Sequence, residues 1–473
     1  MHFSPTPENV SAARQRIAIV GGGYTGSVLA ANLLRVSTGG ADIVLIERST
    51  AVGPGLAYRT QNPHHLLNVR ASNMSALADD PDHFLRWLRA RGGAIAAGAG
   101  SALGNVFVPR RDYGLYIEDV FREAILARAA VSVVTVLHKS AVAIRSGTPL
   151  VVAFDDDTVR EFDHVVLCIG NFSPAPPTEL GRVIVESPRF IGNPWDEARL
   201  AAIPTGDTVL IIGSGLTMAD VVDSLRRLGH EGRIEAISRH GLEAQRHLPV
   251  SLYPPFLSAH DLPLSLLALL RRVRTEVRRA AALGHDWRSV IDSLRALTTP
   301  IWLNLSLDER RRFLRHLRPY WDIHRHRLAP ANADTLAALR QQRRLRLHAG
   351  RITSATPNDG GFAVTFRPYR GDKKETIATR WIINCSGPLR DFARIDDLLV
   401  RGLFDRGDIR PDALRLGLDI TPDNRLLRRD GSAWDNLYTL GPTTLGAYWE
   451  VTAVPDLRNA CAAFANILAK RLK

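Results

Sequence analysis

The sequence predicts an α/β fold built from two βαβ-type domains, with a helical insert in the second. Three observations carry this. The apolar run at residues 17–20 leads into Gly21-Gly22-Gly23-Tyr24-Thr25-Gly26 and then into residues 27–34, which have helical spacing. The same order of strand, glycine turn and helix returns at residues 208–228, around Gly213-Ser214-Gly215. Between about 251 and 345 that rhythm breaks, and stretches with apolar residues three and four apart, rich in Arg, take over.

The first unit has the whole context of a dinucleotide site. Residues 42–46 read as a second parallel strand ending in Glu47, followed by Arg48. Gly21 permits the tight turn, Gly23 lets the backbone approach a pyrophosphate, and Gly26 lets the helix pack closely on the strand. The helix opening at Tyr24 and Thr25 offers free N–H groups and a partial positive charge to phosphates. Glu47 stands where an acid accepts hydrogen bonds from ribose hydroxyls. These are therefore Rossmann-like dinucleotide-binding domains. In the second unit Met218 occupies the third glycine position, after Leu216 and Thr217, so looser helix–strand packing is expected there. Its second strand, residues 233–237, ends in Ser238-Arg239-His240 instead of an acid. An Arg at that place accommodates a 2′-phosphate, so NADPH is expected, with NADH as the alternative.

Composition bounds the remaining choices. The chain has 473 residues, 45% hydrophobic and 23% charged, an ordinary globular mixture with room for two or three domains. No apolar run reaches the roughly 20 residues that span a bilayer. Residues 1–16 lack the apolar core of a signal peptide and read as a disordered lead-in, so a cytoplasmic protein without membrane contact is expected. The net charge of +13 comes mainly from Arg spread through helical stretches, and no nucleic-acid motif accompanies it, so no nucleic-acid partner is expected. Cys168, Cys385 and Cys461 are far apart and in apolar surroundings. With no Cys-x-x-Cys, neither a zinc ribbon nor a dithiol relay is expected. His324 and His326, two apart, point away from each other on a helix, no Cys or carboxylate set accompanies them, and no metal site is expected.

The segments between these landmarks supply the other candidates. The loop around Gly55 precedes Leu66-Leu67-Asn68-Val69-Arg70, where Asn68, Val69 and Arg70 are placed to approach a cofactor. Residues 89–103 are rich in Gly and Ala and read as a loose loop. Arg110 and Tyr113 open a helix and are candidates for a pocket. Two buried strands end at Gly170 and Gly387. The turn at Gly441 leads through Trp449, Glu450 and Val451 into a final helix. The basic run Trp321-Asp322-Ile323-His324-Arg325-His326-Arg327 reads either as a solvated face or as a cluster facing phosphate or substrate. The resulting division is residues 1–205 for the first part of one dinucleotide-binding domain, 206–388 for a second with its insert at about 251–345, and 389–473 for the return of the first domain.

This arrangement resembles the two-dinucleotide-binding-domain flavoproteins over nearly the whole chain. The strands ending Cys168-Ile169-Gly170 and Asn384-Cys385-Ser386-Gly387 are similar to their paired strand-to-glycine segments. Several pieces resemble an FAD/NAD(P)-binding protein family, among them Gly55-Leu56-Ala57-Tyr58, Gly213-Ser214-Gly215-Leu216-Thr217-Met218-Ala219-Asp220 and His324-Arg325-His326-Arg327. Asp163, Leu167 and Gly170 are similar to a segment of the flavin-dependent N-hydroxylating monooxygenases. Phe190-Ile191-Gly192-Asn193-Pro194-Trp195-Asp196 looks like a shortened form of the segment preceding their second glycine turn, without its histidine.

The resemblance implies FAD at the first glycine turn and NADPH at the second. It implies oxygenation of a small amine or amino-acid-like substrate with O2 through a flavin C4a-hydroperoxide. The pocket would involve Asn68, Arg110, Tyr113 and Trp449, with Arg239 on the NADP phosphate. An FAD reductase without oxygenation and a non-catalytic redox sensor are the alternatives. The insert would shape substrate choice or serve a homo-oligomer contact.

Overall fold

The computed structural model describes residues 14–37, 39–92, 100–129 and 131–472. Much of the lead-in at 1–16 and of the loop expected at 89–103 lies outside the described residues. Strand β1 (Arg16–Val20) is buried from Ile17 onward, as a central parallel strand covered on both faces must be. The chain turns at Gly21 into helix α1 (Tyr24–Val36) and returns as β2 (Asp42–Ile46), parallel to β1 with Val20 opposite Ile46. Helix α2 (Arg110–Ala127) leads to β3 (Val133–Leu137), which extends the sheet beyond β2. Strands β4 (Ala141–Arg145), β5 (Leu150–Phe154) and β6 (Val159–Phe162) form a small antiparallel sheet of their own. Strand β7 (His164–Leu167) then pairs with β1 on the side away from β2.

The second sheet begins with β8 (Phe190–Ile191) and β9 (Val209–Ile212). Helix α3 (Leu216–Arg227) and β10 (Ile234–Ser238) complete the second βαβ unit, with β10 parallel to β9. The insert follows, including α4 (Leu266–Ala282), α5 (Trp287–Ser293), α6 (Arg318–Arg325) and α7 (Pro330–Gln341). Strand β11 (Leu345–Asn358) resumes the sheet beside β10. It continues antiparallel through β12 (Gly361–Pro368) and β13 (Glu375–Thr379), the hairpin expected from the alternating sequence. Strand β14 (Trp381–Asn384) closes onto β9. The chain then returns to the first sheet with β15 (Arg425–Leu427) and β16 (Ala433–Thr439), the latter parallel to β7. Helix α8 (Val454–Arg471) packs across α1, where the Cys461 thiol meets the Thr25 carbonyl at 3.6 Å. The strand orders are β15-β16-β7-β1-β2-β3 and β13-β12-β11-β10-β9-β14-β8.

Two features of the insert depart from plain amphipathic helices with a solvated basic face. Residues 307–317, although helically spaced, do not form one α-helix. A capping box between Ser306 and Glu309 starts a helix at Leu307–Arg312, which widens into a π turn at Phe313–Leu317 before α6. The wide turn lets Phe313 pack edge-on against Trp449, with ring centroids 5.3 Å apart. The solvated-face reading of the basic run at 321–327 also fails, because Arg327 is only 1% exposed and the run is packed against other parts of the chain.

Candidate functional site

The two glycine turns are built alike. Gly21 has φ +106° and donates to the Ile46 carbonyl at 2.8 Å; Gly213 has φ +110° and donates to the Ile237 carbonyl at 2.8 Å. A β-carbon on Gly21 would lie 2.4 Å from the Cys168 carbonyl oxygen, and one on Gly213 would lie 2.2 Å from that of Cys385. Each turn is therefore wedged against the neighbouring strand end. Gly26 is tighter still, with its β-carbon position 1.9 Å from the Gly21 oxygen. In the second unit Met218 is 1% exposed, and its side chain joins the core beneath β9.

Gly23 and Gly215 are the N-caps of α1 and α3, and neither helix has a side-chain cap. The first N–H groups of each, at Tyr24 and Thr25 and at Leu216 and Thr217, need an acceptor from outside the helix. Around Gly170, Gly215 and Gly387 a β-carbon would meet nothing within 4 Å. Uncapped helix starts beside open backbone at the strand ends fit dinucleotide phosphates. Gly23 is more enclosed, with Gly55 Cα 3.2 Å from its β-carbon position. At the tip of β2 the Glu47 carboxylate is held in place, accepting from the Gly22 N–H at 2.8 Å and from the Ser49 N–H at 2.9 Å. Arg48 beside it is exposed. At the tip of β10 the Ser214 hydroxyl donates to Ser238 Oγ at 2.8 Å, and Arg239 is exposed.

The pocket candidates do not all converge. Tyr113 is fully buried in an aromatic cluster with Tyr24, Tyr58, Phe84 and Tyr116, and burial pushes its phenol well above the usual range. Asn68 and Val69 are half-buried, and His247 Nε2 contacts the Asn68 carbonyl at 3.0 Å. Arg70 donates to the Leu248 carbonyl at 2.6 Å, so the segment before the insert lies on this loop. Gly441 has φ +91° and closes on Thr25, whose hydroxyl oxygen would be 2.9 Å from an added β-carbon. Trp449, Glu450 and Val451 continue that turn and are all buried.

Arg110 instead joins the two domains. Its guanidinium forms an ion pair with Asp220 on α3 at 2.8 Å, donates from Nε to the Leu66 carbonyl at 3.1 Å, and lies 5.5 Å from the Trp195 ring centre. His65 Nε2 is 3.1 Å from the Asp220 carbonyl and 2.8 Å from Ser224 Oγ. A carbonyl only accepts, which places the ring proton on Nε2 and leaves Nδ1 to accept from the Thr60 hydroxyl at 2.8 Å. Asn62 donates to Ser224 at 3.1 Å. Burial, then Arg110, lowers the His65 pKa to about 4, so the ring is neutral near pH 7. The sequence singled out none of Asn62, His65 or Ser224. The available signal was Asp220, a carboxylate at a buried helical position between Ala219 and Val221.

Burial raises the Asp220 carboxyl from 3.8 to about 6, against the lowering effect of Arg110. The folded carboxyl thus holds its proton more readily than the unfolded one. Its stabilising contribution is complete below the unfolded value and is lost as pH rises through about 6. The Tm of the native chain minus that of Asp220→Asn is therefore expected to rise as pH falls from about 7 to about 4, by on the order of 2–3 kcal/mol in stability. A flat difference across that window would show that Asp220 does not titrate there.

The insert docks on the C-terminal turn. Trp302 stacks on Trp449 at 4.9 Å and donates to the Gly446 carbonyl at 3.0 Å. Trp321 and Arg325 both donate to the Glu450 carboxylate, at 2.6 and 3.0 Å. Arg295 pairs with Asp456 at 2.7 Å. Glu450 has φ +72°, a conformation costly for a residue with a β-carbon and held here by these partners.

Residues 18–172 match the family model described as FAD-NAD(P)-binding. That stretch, which runs from β1 past β7, is similar to FAD-NAD(P)-binding domains. No curated protein sequence matches the chain. Among solved structures, reduced ornithine hydroxylase from Pseudomonas aeruginosa is similar with a TM-score of 0.65 at 15% identity, over 97% of this chain and 100% of that one. The ornithine N-hydroxylase of Kutzneria sp. 744, solved with reduced FAD, NADP+ and L-ornithine, gives 0.66 at 14% identity over 97% and 100%. The L-lysine 6-monooxygenase of Pseudomonas syringae gives 0.63 at 15% identity over 97% and 99%. The fold is thus the two-domain dinucleotide-binding fold expected from the paired glycine turns. Among the described residues no helix is long and apolar enough to cross a membrane, and no cluster of metal-ligating side chains occurs.

Proposed function

We propose that the chain is an FAD-dependent, NADPH-reduced monooxygenase acting on a small nucleophilic amine. The observation that carries this is the pair of uncapped glycine turns at the carboxyl ends of the parallel strands of two sheets, joined by a buried ion pair. The similarity in fold to ornithine and lysine hydroxylating enzymes supports the choice of reaction. Bound flavin would accept hydride from NADPH and activate O2. Overall, NADPH, a proton, O2 and the amine give NADP+, water and the hydroxylamine.

The chain's own residues bind, orient and exclude water. Gly21, Gly23, Tyr24, Thr25 and Gly26 would cradle the FAD pyrophosphate through backbone N–H groups, with Glu47 on the ribose and Arg48 at its edge. Asn68, Val69, Gly170, Gly441, Glu450 and Val451 would line the rest of that cofactor. Gly213, Ser214, Gly215, Leu216 and Thr217 would hold the NADPH pyrophosphate, and Gly387 would leave room for the nicotinamide half. Trp302, Phe313, Trp321 and Trp449 form a dry aromatic wall over the C-terminal turn. All three cysteines are buried and unpaired, and burial raises each thiol, so a dithiol-relay reductase gains no support.

The reaction is tested by product stoichiometry: one hydroxylated amine per NADPH and per O2 consumed. Quantitative release of peroxide with every amine offered would overturn it. Ser238 and Arg239 would grip the 2′-phosphate. Arg239→Ala is expected to raise KM for NADPH about 10- to 100-fold, the worth of a charge-assisted contact, with little change for NADH. Equal changes for both nucleotides would remove that role.

A further inference from the structure

Helix α4 of the insert has two unlike faces. Leu269, Val273, Glu276 and Ala280 recur three and four apart and face inward, with Leu269 and Val273 in the insert's own apolar cluster beside Leu257 and Ile291. Glu276, the only acid on the helix, is buried there and accepts from the Tyr253 hydroxyl at 2.6 Å. The opposite face carries Leu267, Arg271, Arg274 and Arg278, all exposed. Helical geometry puts these four within an arc of about 60° and a length of about 16 Å. Arg272 and Arg279 flank them on one side and are exposed as well. Arg279 reaches Glu276 at 4.0 Å, and that is the helix's one ion pair among the described residues. Arg271, Arg272, Arg274 and Arg278 thus present guanidinium groups to solvent with no carboxylate paired to them. Exposed leucines bound the stripe. Leu264 and Leu267 stand at its N-terminal end. At the other end are Leu283, 65% exposed, and Leu252, 98% exposed, which the contact of Ser251 Oγ with His285 Nδ1 at 3.3 Å holds beside the end of the helix.

We propose that this face docks an acidic segment of a protein partner, one whose carboxylates repeat three and four residues apart between apolar ends. Charge complementarity selects an anionic surface, and a guanidinium fork matches a carboxylate edge to edge. The leucines at both ends add apolar area that a purely ionic contact lacks. A bilayer would take the helix by its apolar face, and that face is already packed in the insert's core. A stacked single strand of nucleic acid would need aromatic side chains, and the stripe carries none. The stripe shares no residue with the cofactor sites, so its role stands or falls apart from the monooxygenase reading.

The probe is a fluorescein-labelled helical peptide with Glu three and four apart along one face and Leu at each end, titrated by fluorescence anisotropy into the FAD-loaded full chain. It is expected to bind, and to bind more weakly as salt rises. A scrambled peptide of the same composition is expected to bind about tenfold more weakly, because only the ordered one can pair with three guanidinium groups at once. The triple variant Arg271→Gln, Arg274→Gln, Arg278→Gln is expected to lose about tenfold in affinity for the ordered peptide, and Lys at the same three positions to restore part of it. Its flavin spectrum and Tm should match those of the native chain, since all three side chains are exposed. No binding to the native chain, equal affinity for the ordered and scrambled peptides, or equal affinity in the triple variant would overturn the proposal. Tighter binding of a DNA duplex or of phosphatidylglycerol vesicles than of the peptide would also overturn it, assigning the face to nucleic acid or to a lipid surface. So would native oligomers that come apart in the triple variant, which would make the face a contact between copies of this chain.

Discussion

Gly26→Ala is expected to give a protein that does not retain FAD. The added β-carbon would lie 1.9 Å from the Gly21 carbonyl oxygen and 3.1 Å from its carbon, and both are backbone atoms that cannot rotate away. Helix α1 must lift from β1, which moves the N–H groups of Tyr24 and Thr25 off the phosphates. Overpacking of this kind costs about 3 kcal/mol at the upper end, which corresponds to roughly 100-fold or more in cofactor affinity. The purified variant should be colourless, or yellow only with added excess FAD. Gly213→Ala should behave differently, because its clash with the Cys385 carbonyl is confined to the second turn. That variant should stay yellow but lose rapid bleaching by NADPH. Gly215→Ala separates folding from binding. Its β-carbon would meet nothing within 4 Å and its φ of −84° suits Ala, so the protein should keep its Tm. Only NADPH binding should suffer, as the methyl group fills the space of a pyrophosphate. Full NADPH affinity in that variant would place the nucleotide elsewhere.

Arg110→Met is expected to uncouple the two domains. It removes the only cation paired with Asp220 among the described residues and leaves that carboxyl buried at 4% exposure. Breaking a buried pair from one side costs about 3–5 kcal/mol. Part of this is relieved by protonation, because Asp220 already sits near 6 and loses the lowering effect of Arg110. The expected readouts are a fall in Tm that is larger at pH 8 than at pH 5 and slower flavin reduction by NADPH with FAD retained. Arg110→Met with Asp220→Leu should recover stability, since both charges are then gone. A double variant no more stable than the single one would show that the ion pair is not what joins the domains.

The first glycine turn was legible because its chemistry is local. A tight turn, a close approach and a strand-end acid must fall within one βαβ unit, and Gly21, Gly26 and Glu47 do so. The second turn was readable despite Met218, whose flexible side chain fills core space at a point where Gly26 admits no side chain. The hydrogen bonds of Asn62 and His65 to Ser224 were not legible, because they span 162 and 159 residues from an irregular loop and no spacing rule links them. The insert looked like amphipathic helices with a basic face. Its actual use depends on Trp302, Trp321 and Arg325 meeting Gly446 and Glu450, contacts that cross from one domain to the return segment of the other. Arg110 and Tyr113 share a helix and were grouped together for that reason, yet one faces α3 and the other the aromatic core.

The most direct measurement is made on the purified, FAD-loaded protein. NADPH is added without oxygen, and O2 is then admitted with each of a panel of small amines. Bleaching of the flavin on the first step, and one hydroxylamine formed for each NADPH oxidised on the second, is the predicted result. A protein that takes up no flavin, or one that NADPH reduces but that yields only peroxide with every amine offered, would contradict the monooxygenase assignment.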